Sequence, residues 1–264
     1  MVKTKKEIVK KGKKQASYQL KITPKDLLKA GCHFGHSVAK TNPLVKPFLY
    51  GPRQGVQVFD LIKTHASLQE AATFLWQEAK AGKKIVLVGT KRQAKELVRK
   101  GAEELGLAYV INRWLGGTIT NWEQIKKNIR RLKELEQDFI EGKYQKRTKK
   151  EQTVLRRELV RLDRMVGGLR GLDELFDVLV ILDAKEDKTA IAEALVVGIP
   201  TVALVDSNAD PRGLDFPIGA NDDSTKSIKI ILGELLAAIA EGKSQAHPLV
   251  STKEKKHESK KENN

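Results

Sequence analysis

Apolar residues along this chain follow two rhythms, and the rhythms divide it. Trp122, Ile125, Ile129, Leu132, Leu135 and Phe139 recur at steps of three and four, which puts them on one stripe of a helix. Lys126, Lys127, Arg130, Arg131 and Lys133 fall off that stripe. Thr120, followed by Glu123, has the form of a capping box, so the helix is expected to start near Asn121. A polar, basic run over 141–150 breaks the pattern. Leu155, Leu159, Leu162 and Val166 then resume it, and Gly167 and Gly168 stop it. Two narrow apolar stripes joined by a short loop predict an antiparallel helical hairpin of the coiled-coil kind.

Elsewhere, short and wholly apolar runs alternate with amphipathic ones. Thr23, Pro24 and Gly31 bracket a short helix as N-cap, first turn and stop. Val56–Phe59 reads as a strand, 64–81 as a helix, Ile85–Val88 as a buried parallel strand, 91–105 as a helix and 109–111 as a strand. After the hairpin come strand 178–182, helix Lys188–Val197, strand Thr201–Val205, a last short strand at 215–218 and helix 224–241. The stretch 27–51 is rich in Gly and Pro and reads as irregular. Strands alternating with helices predict an α/β fold with a doubly wound parallel sheet, the hairpin entering between its third and fourth strands. The expected divisions are a basic disordered tail at 1–20, an α/β body at 21–112 and 167–243, the inserted hairpin at 113–166, and a second basic tail at 244–264.

Charge sharpens this picture. The 264 residues carry a formal net charge of +16, which favours a polyanionic partner, nucleic acid first. The single cysteine, Cys32, rules out an internal disulfide framework and fits a reducing compartment. No apolar run reaches the roughly 18 residues of a membrane span. The lysine-rich start lacks the apolar core of a secretory signal, so a cytoplasmic protein is expected. The tails are either solubilising or laid against RNA phosphates.

Enzyme chemistry is poorly represented. No two glycines sit two residues apart, so the dinucleotide fingerprint is absent. Gly89-Thr90-Lys91-Arg92 follows a strand without P-loop spacing. Lys91 and Arg92 at a helix start suit an anion, or they are two exposed bases on an ordinary turn. Asp60, Asp183 and Asp206 follow strands, and His33 and His36 lie in the irregular stretch. They either converge on a cation or cap helices and bond locally, the second being the expectation, with no metal and no cofactor. No serine or cysteine sits in a nucleophile elbow. The segment 113–118, RWLGGT, is richer. Arg113 offers a planar fork, Trp114 a stacking face, and Gly116 and Gly117 bare amides for an RNA backbone, or else Trp114 plugs the root of the arm.

At these residues the chain closely resembles the bacterial small-subunit ribosomal protein S2 family. The blocks are LLKAGCHFGHSVAKTNPLVKPFLYG (27–51), VGTKRQAKELV (88–98), NRWLGGTITNWEQIKKNIRRLKELE (112–136), LDAKEDKTAIAEALVVGIPTVALVDSNADP (182–211) and GANDDS (219–224). The chain has Ile218-Gly219-Ala220-Asn221-Asp222-Asp223 where the family usually has IPGNDD, with Pro217 one step displaced. The resemblance implies a flavodoxin-like body with a protruding coiled-coil hairpin. It implies a non-catalytic role in translation, with small-subunit ribosomal RNA, neighbouring small-subunit proteins and, in many bacteria, ribosomal protein S1 as partners. Lys91, Arg92, Arg113, Trp114, Gly116, Gly117, Lys126, Lys127, Arg130 and Arg131 are the expected RNA-binding residues. A non-ribosomal RNA-binding or adhesion role is the alternative, and a nucleotide-dependent enzyme the third.

Overall fold

The computed structural model describes residues 17–246, so most of both expected tails lies outside the described residues. Order begins before Thr23. Tyr18 is 2% exposed in the core, and Gln69 and Glu234 accept from the N–H groups of Leu20 and Lys21, each at 3.1 Å. A single apolar anchor thus draws in a segment whose polar neighbours read as tail. Helix α1, Pro24–Lys29, starts as expected, with the Thr23 N–H held by Asp26 at 3.0 Å.

The irregular stretch contains more than its composition suggested. It forms β1 (Phe34–Ser37), short 3-10 turns over Val38–Lys40 and Pro43–Phe48, and β2 (Leu49–Arg53). These flank β3 (Val56–Phe59) in a separate three-stranded antiparallel sheet of order β1-β3-β2. Val56–Phe59 is therefore not the first strand of the parallel sheet. The cause is local: Gln54 (φ 50°) and Gly55 (φ 80°) form a two-residue turn, with Arg53 facing Val56 across it. Two successive residues in the left-handed region make a tight hairpin, which returns the chain antiparallel and leaves no room for a crossover.

Helix α2 (Leu61–Lys80) starts earlier than its pattern suggested, because Asp60 caps it through the Ile62 N–H at 3.0 Å. Then follow β4 (Ile85–Val88), α3 (Arg92–Leu105), β5 (Ala108–Val110), α4 (Trp122–Ile140) and α5 (Lys149–Val166). β6 (Val178–Ile181), α6 (Lys188–Val197), β7 (Thr201–Val205), β8 (Phe216–Gly219) and α7 (Thr225–Ser244) complete the order. The parallel sheet runs β5-β4-β6-β7-β8. Counted among its own strands that is 2-1-3-4-5, the flavodoxin-like order.

Every residue of β4, β6 and β7 is buried, and their side chains alternate between two apolar layers. Ile85, Leu87, Val178, Val180, Val202 and Leu204 pack with α2, α3 and α7. Val86, Val88, Leu179, Ile181, Ala203 and Val205 pack on the other face with α6 and Phe59. Ile125, Ile129, Leu132 and Leu135 of α4, with Leu162 and Val166 of α5, belong to that same second layer. α4 and α5 meet through an Arg131–Glu158 ion pair at 3.0 Å and through Arg156 above the Phe139 ring. After α5, the turn Gly167–Leu169 lies along the open edge of β5, so close that a side chain at Gly168 would collide with the Tyr109 carbonyl.

Candidate nucleic-acid interface

The turn between β5 and α4 is organised by a residue from far along the chain. Glu193, buried on α6, accepts from the Trp114 indole Nε1 at 3.2 Å and the Gly117 N–H at 2.8 Å through one oxygen. Its other oxygen accepts from Ile119 N at 2.9 Å, Thr120 N at 3.1 Å and Thr120 Oγ1 at 3.2 Å. Burial pushes this carboxyl up, but the hydrogen bonds from Ile119, Thr120, Gly117 and Trp114 outweigh it and hold the pKa below the ordinary value. Thr120 is thereby drawn away from Glu123. The expected capping box does not form, although Asn121 is the N-cap of α4.

This arrangement decides among the residues of the RWLGGT segment. Trp114 is only 6% exposed and already bonded; it is the plug at the root of α4, not a free stacking face. Gly117, at φ +88°, has its amide committed to Glu193. Arg113 and Gly116 are exposed, with open space around Gly116. Among the described residues Arg113 has no carboxylate partner.

Lys91 occupies the N-cap of α3. Its ammonium lies 2.5 Å from Asp222, 2.5 Å from Asp223 and 3.6 Å from Asp183. Burial works against its charge, yet hydrogen bonds to Asp222 and Asp223 drive its pKa up. Lys91 is neutralised inside the protein and does not stand free for a phosphate. Burial, then the charges of Asp183 and Asp206, push the Asp222 carboxyl up against the pull of Lys91. Arg92, next along, is exposed and unpaired among the described residues.

Of the histidines and strand-end aspartates, His36 and Asp206 come together. His36 places Nδ1 3.1 Å from Asp206 and Nε2 3.3 Å from Asp223. One ligand atom from each of the three lies within 4.8 Å of the others, an imidazole and two carboxylates that could hold a divalent cation. Asp60 caps α2, and Asp183 caps the following turn through the N–H groups of Lys185 and Glu186. His33 packs on Phe34, and burial lowers its pKa. Asp223 was visible only as part of the GANDDS block. Asn221 sets that turn, accepting from Asp223 N at 2.8 Å and donating to the Gly31 carbonyl at 3.1 Å.

On α4, Lys127 and Arg130 are exposed and Lys126 is half-buried, all without a carboxylate partner among the described residues. Arg131 is held by Glu158. The structure adds Lys150, Arg157, Arg161 and Arg164 on α5, all exposed. Their steps of seven, four and three put them on one helix face, a signal present in the sequence. Among the described residues no helix is long and apolar enough to cross a membrane.

The profile of the family described as Ribosomal protein S2 matches residues 27–242. The small ribosomal subunit protein uS2 of Coprothermobacter proteolyticus is 43% identical over 235 residues, covering 88% of this chain and 86% of the relative. That of Rippkaea orientalis is 44% identical over 218 residues, covering 83% and 81%. The uS2c protein of Porphyra purpurea is 42% identical over 238 residues, covering 89% and 99%. With a match spanning both faces of the sheet, the Glu193-bound turn and the acidic strand ends, the chain belongs to the ribosomal protein S2 family.

Proposed function

We propose that the chain is a structural, non-catalytic component of the small ribosomal subunit, and that it grips small-subunit ribosomal RNA through cations on α4, α5 and the turn before them. One observation carries the reading. In a chain of this family, Lys126, Lys127, Arg130, Arg157, Arg161 and Arg164 line helix faces with no carboxylate partner among the described residues. α4 and α5 act as an antiparallel coiled-coil hairpin, 113–166, carried by an α/β body of 21–112 and 167–243. Their 19 and 18 residues give a reach of about 27 Å at 1.5 Å per residue. Arg92, Arg113 and Gly116 extend the interface. Lys91, Trp114 and Gly117 support it from beneath, and Arg131 braces the two helices. Neighbouring small-subunit proteins are the other partners, and the family resemblance adds ribosomal protein S1.

The test is co-sedimentation of the full chain with small subunits after a high-salt wash, beside filter binding to small-subunit ribosomal RNA. Release of the chain at moderate salt, with affinity equal for any RNA, would leave only non-specific binding and refute the assignment.

A further inference from the structure

Three glycines lie inside helices among the described residues: Gly101 in α3, and Gly233 and Gly242 in α7. Glycine weakens a helix relative to alanine, so each position asks for a reason. For two of them the chain supplies it. A Cβ at Gly101 would run into the Leu236 side chain, and one at Gly242 would strike the Trp76 carbonyl and Ala79. At Gly233 a Cβ would meet nothing within 4 Å. Nothing inside this chain requires that glycine.

Gly233 lies in a shallow, open groove between α1 and α7. The floor is Ala30, Ile230 and Gly233, and Lys29, Lys226 and Lys229 stand around it. Lys226, Lys229, Ile230 and Gly233 share one face of α7. The acidic groups beside the groove are already engaged. Asp26 holds the Thr23 N–H and sits 3.8 Å from Lys29, and Glu234 holds the Lys21 N–H. Lys226 and Lys229 have no carboxylate partner among the described residues.

We propose that this groove docks an acidic, amphipathic segment of a neighbouring protein, its backbone or small side chains resting on Gly233 and its carboxylates on Lys226 and Lys229. Charge excludes the nearer occupants. Residues 1–16 hold seven lysines and one glutamate, and 247–264 hold five lysines and three glutamates, so both tails are repelled by the rim. A second copy would set the same lysines against themselves. RNA is disfavoured by the floor, which has neither a hydrogen-bond donor for a 2′-hydroxyl nor an aromatic ring for a base. An apolar floor with a cationic rim suits a helix or strand bearing both small apolar and acidic residues.

A carbodiimide that joins an ammonium to a carboxylate in direct contact tests this on purified small subunits carrying the full chain, read by mass spectrometry. The expected product is an isopeptide between Lys226 or Lys229 and an Asp or Glu in an acidic, partly apolar segment of a different protein. Gly233→Phe, which fills the groove, should cut its yield at least tenfold while the variant still enters subunits. Gly233→Ala should raise the melting temperature of the free chain by about 1–4 °C. Protection of these lysines by RNA, a link to the chain's own tails, or no link while other lysine–carboxylate pairs in the same subunits react would each overturn the proposal. So would a Gly233→Ala chain that melts no higher. Co-sedimentation reads the ribosomal assignment separately.

Discussion

Replacing Glu193 by alanine should damage the root of α4 more than any single lysine change on the helices. The substitution removes the acceptor for five donors at once. Thr120 is exposed and Gly117 half-buried, so water can reach them. Trp114 Nε1 and Ile119 N are buried and would be left unmet. A buried donor without a partner costs about 1–3 kcal/mol, so the two together cost roughly 2–6 kcal/mol. At 2–4 °C per kcal/mol for a domain of this size, the melting temperature should fall by roughly 4–24 °C. Glu193→Gln should fall between, since one oxygen survives but an amide N–H₂ now faces donors. Differential scanning calorimetry reads the stability, and tryptophan emission reads the site, because releasing Trp114 into water shifts emission to the red. A Glu193→Ala chain that melts within about 1 °C of the parent, with unshifted emission, would refute the account. The pH dependence has a definite sign. A carboxyl whose native pKa is lowered contributes stability above its unfolded pKa, and loses it as pH falls through the native one. The parent should therefore converge on the alanine variant in acid.

Lys91→Ala should destabilise the body by about 3 kcal/mol in urea denaturation, the low end for a broken buried pair because the side chain is 19% exposed; unchanged stability with weaker RNA binding would return Lys91 to the interface. Burial pushes the Asp187 carboxyl up to about 7 despite hydrogen bonds from Thr90 at 3.1 Å. A carboxyl whose native pKa is raised costs the folded state nothing below its unfolded pKa and most above its native one, so Asp187→Asn should raise the melting temperature more at pH 8 than at pH 5. RNA affinity resting on eight phosphate contacts, from Arg92, Arg113, Lys126, Lys127, Arg130, Arg157, Arg161 and Arg164, should fall with a log–log salt slope of roughly −5.6 to −7.2. Arg113→Ala should lower that slope by about one contact with the melt unchanged; a flat salt response would sink the electrostatic reading.

What the sequence disclosed depended on how local the cause was. β4 and β7 have the bounds their apolar runs suggest, because a strand buried on both faces cannot hide its composition. β1 and β2 were missed because they are half-solvated, with Phe34 and Tyr50 exposed, and their pairing depends on a Gln-Gly turn that lacks the usual Asn or Asp. The candidate interface was legible as a set of cations but not in its division of labour. Trp114 owes its role to Glu193, 79 positions away, and Lys91 owes its neutralisation to Asp222, 131 positions away. No periodicity reports a hydrogen bond across that distance.

The turn over Gly167–Leu169, laid along the outer edge of β5, has a bearing on the life of the protein before it meets RNA. An uncovered edge strand is a template for other chains. Gly168 lets the turn press against the Tyr109 carbonyl at that edge, which obstructs the approach of another strand. A methyl group there would lift the turn, so Gly168→Ala chains should scatter light on standing where the parent stays clear. The solubility of the orphan protein would then rest on one missing side chain as well as on its charge.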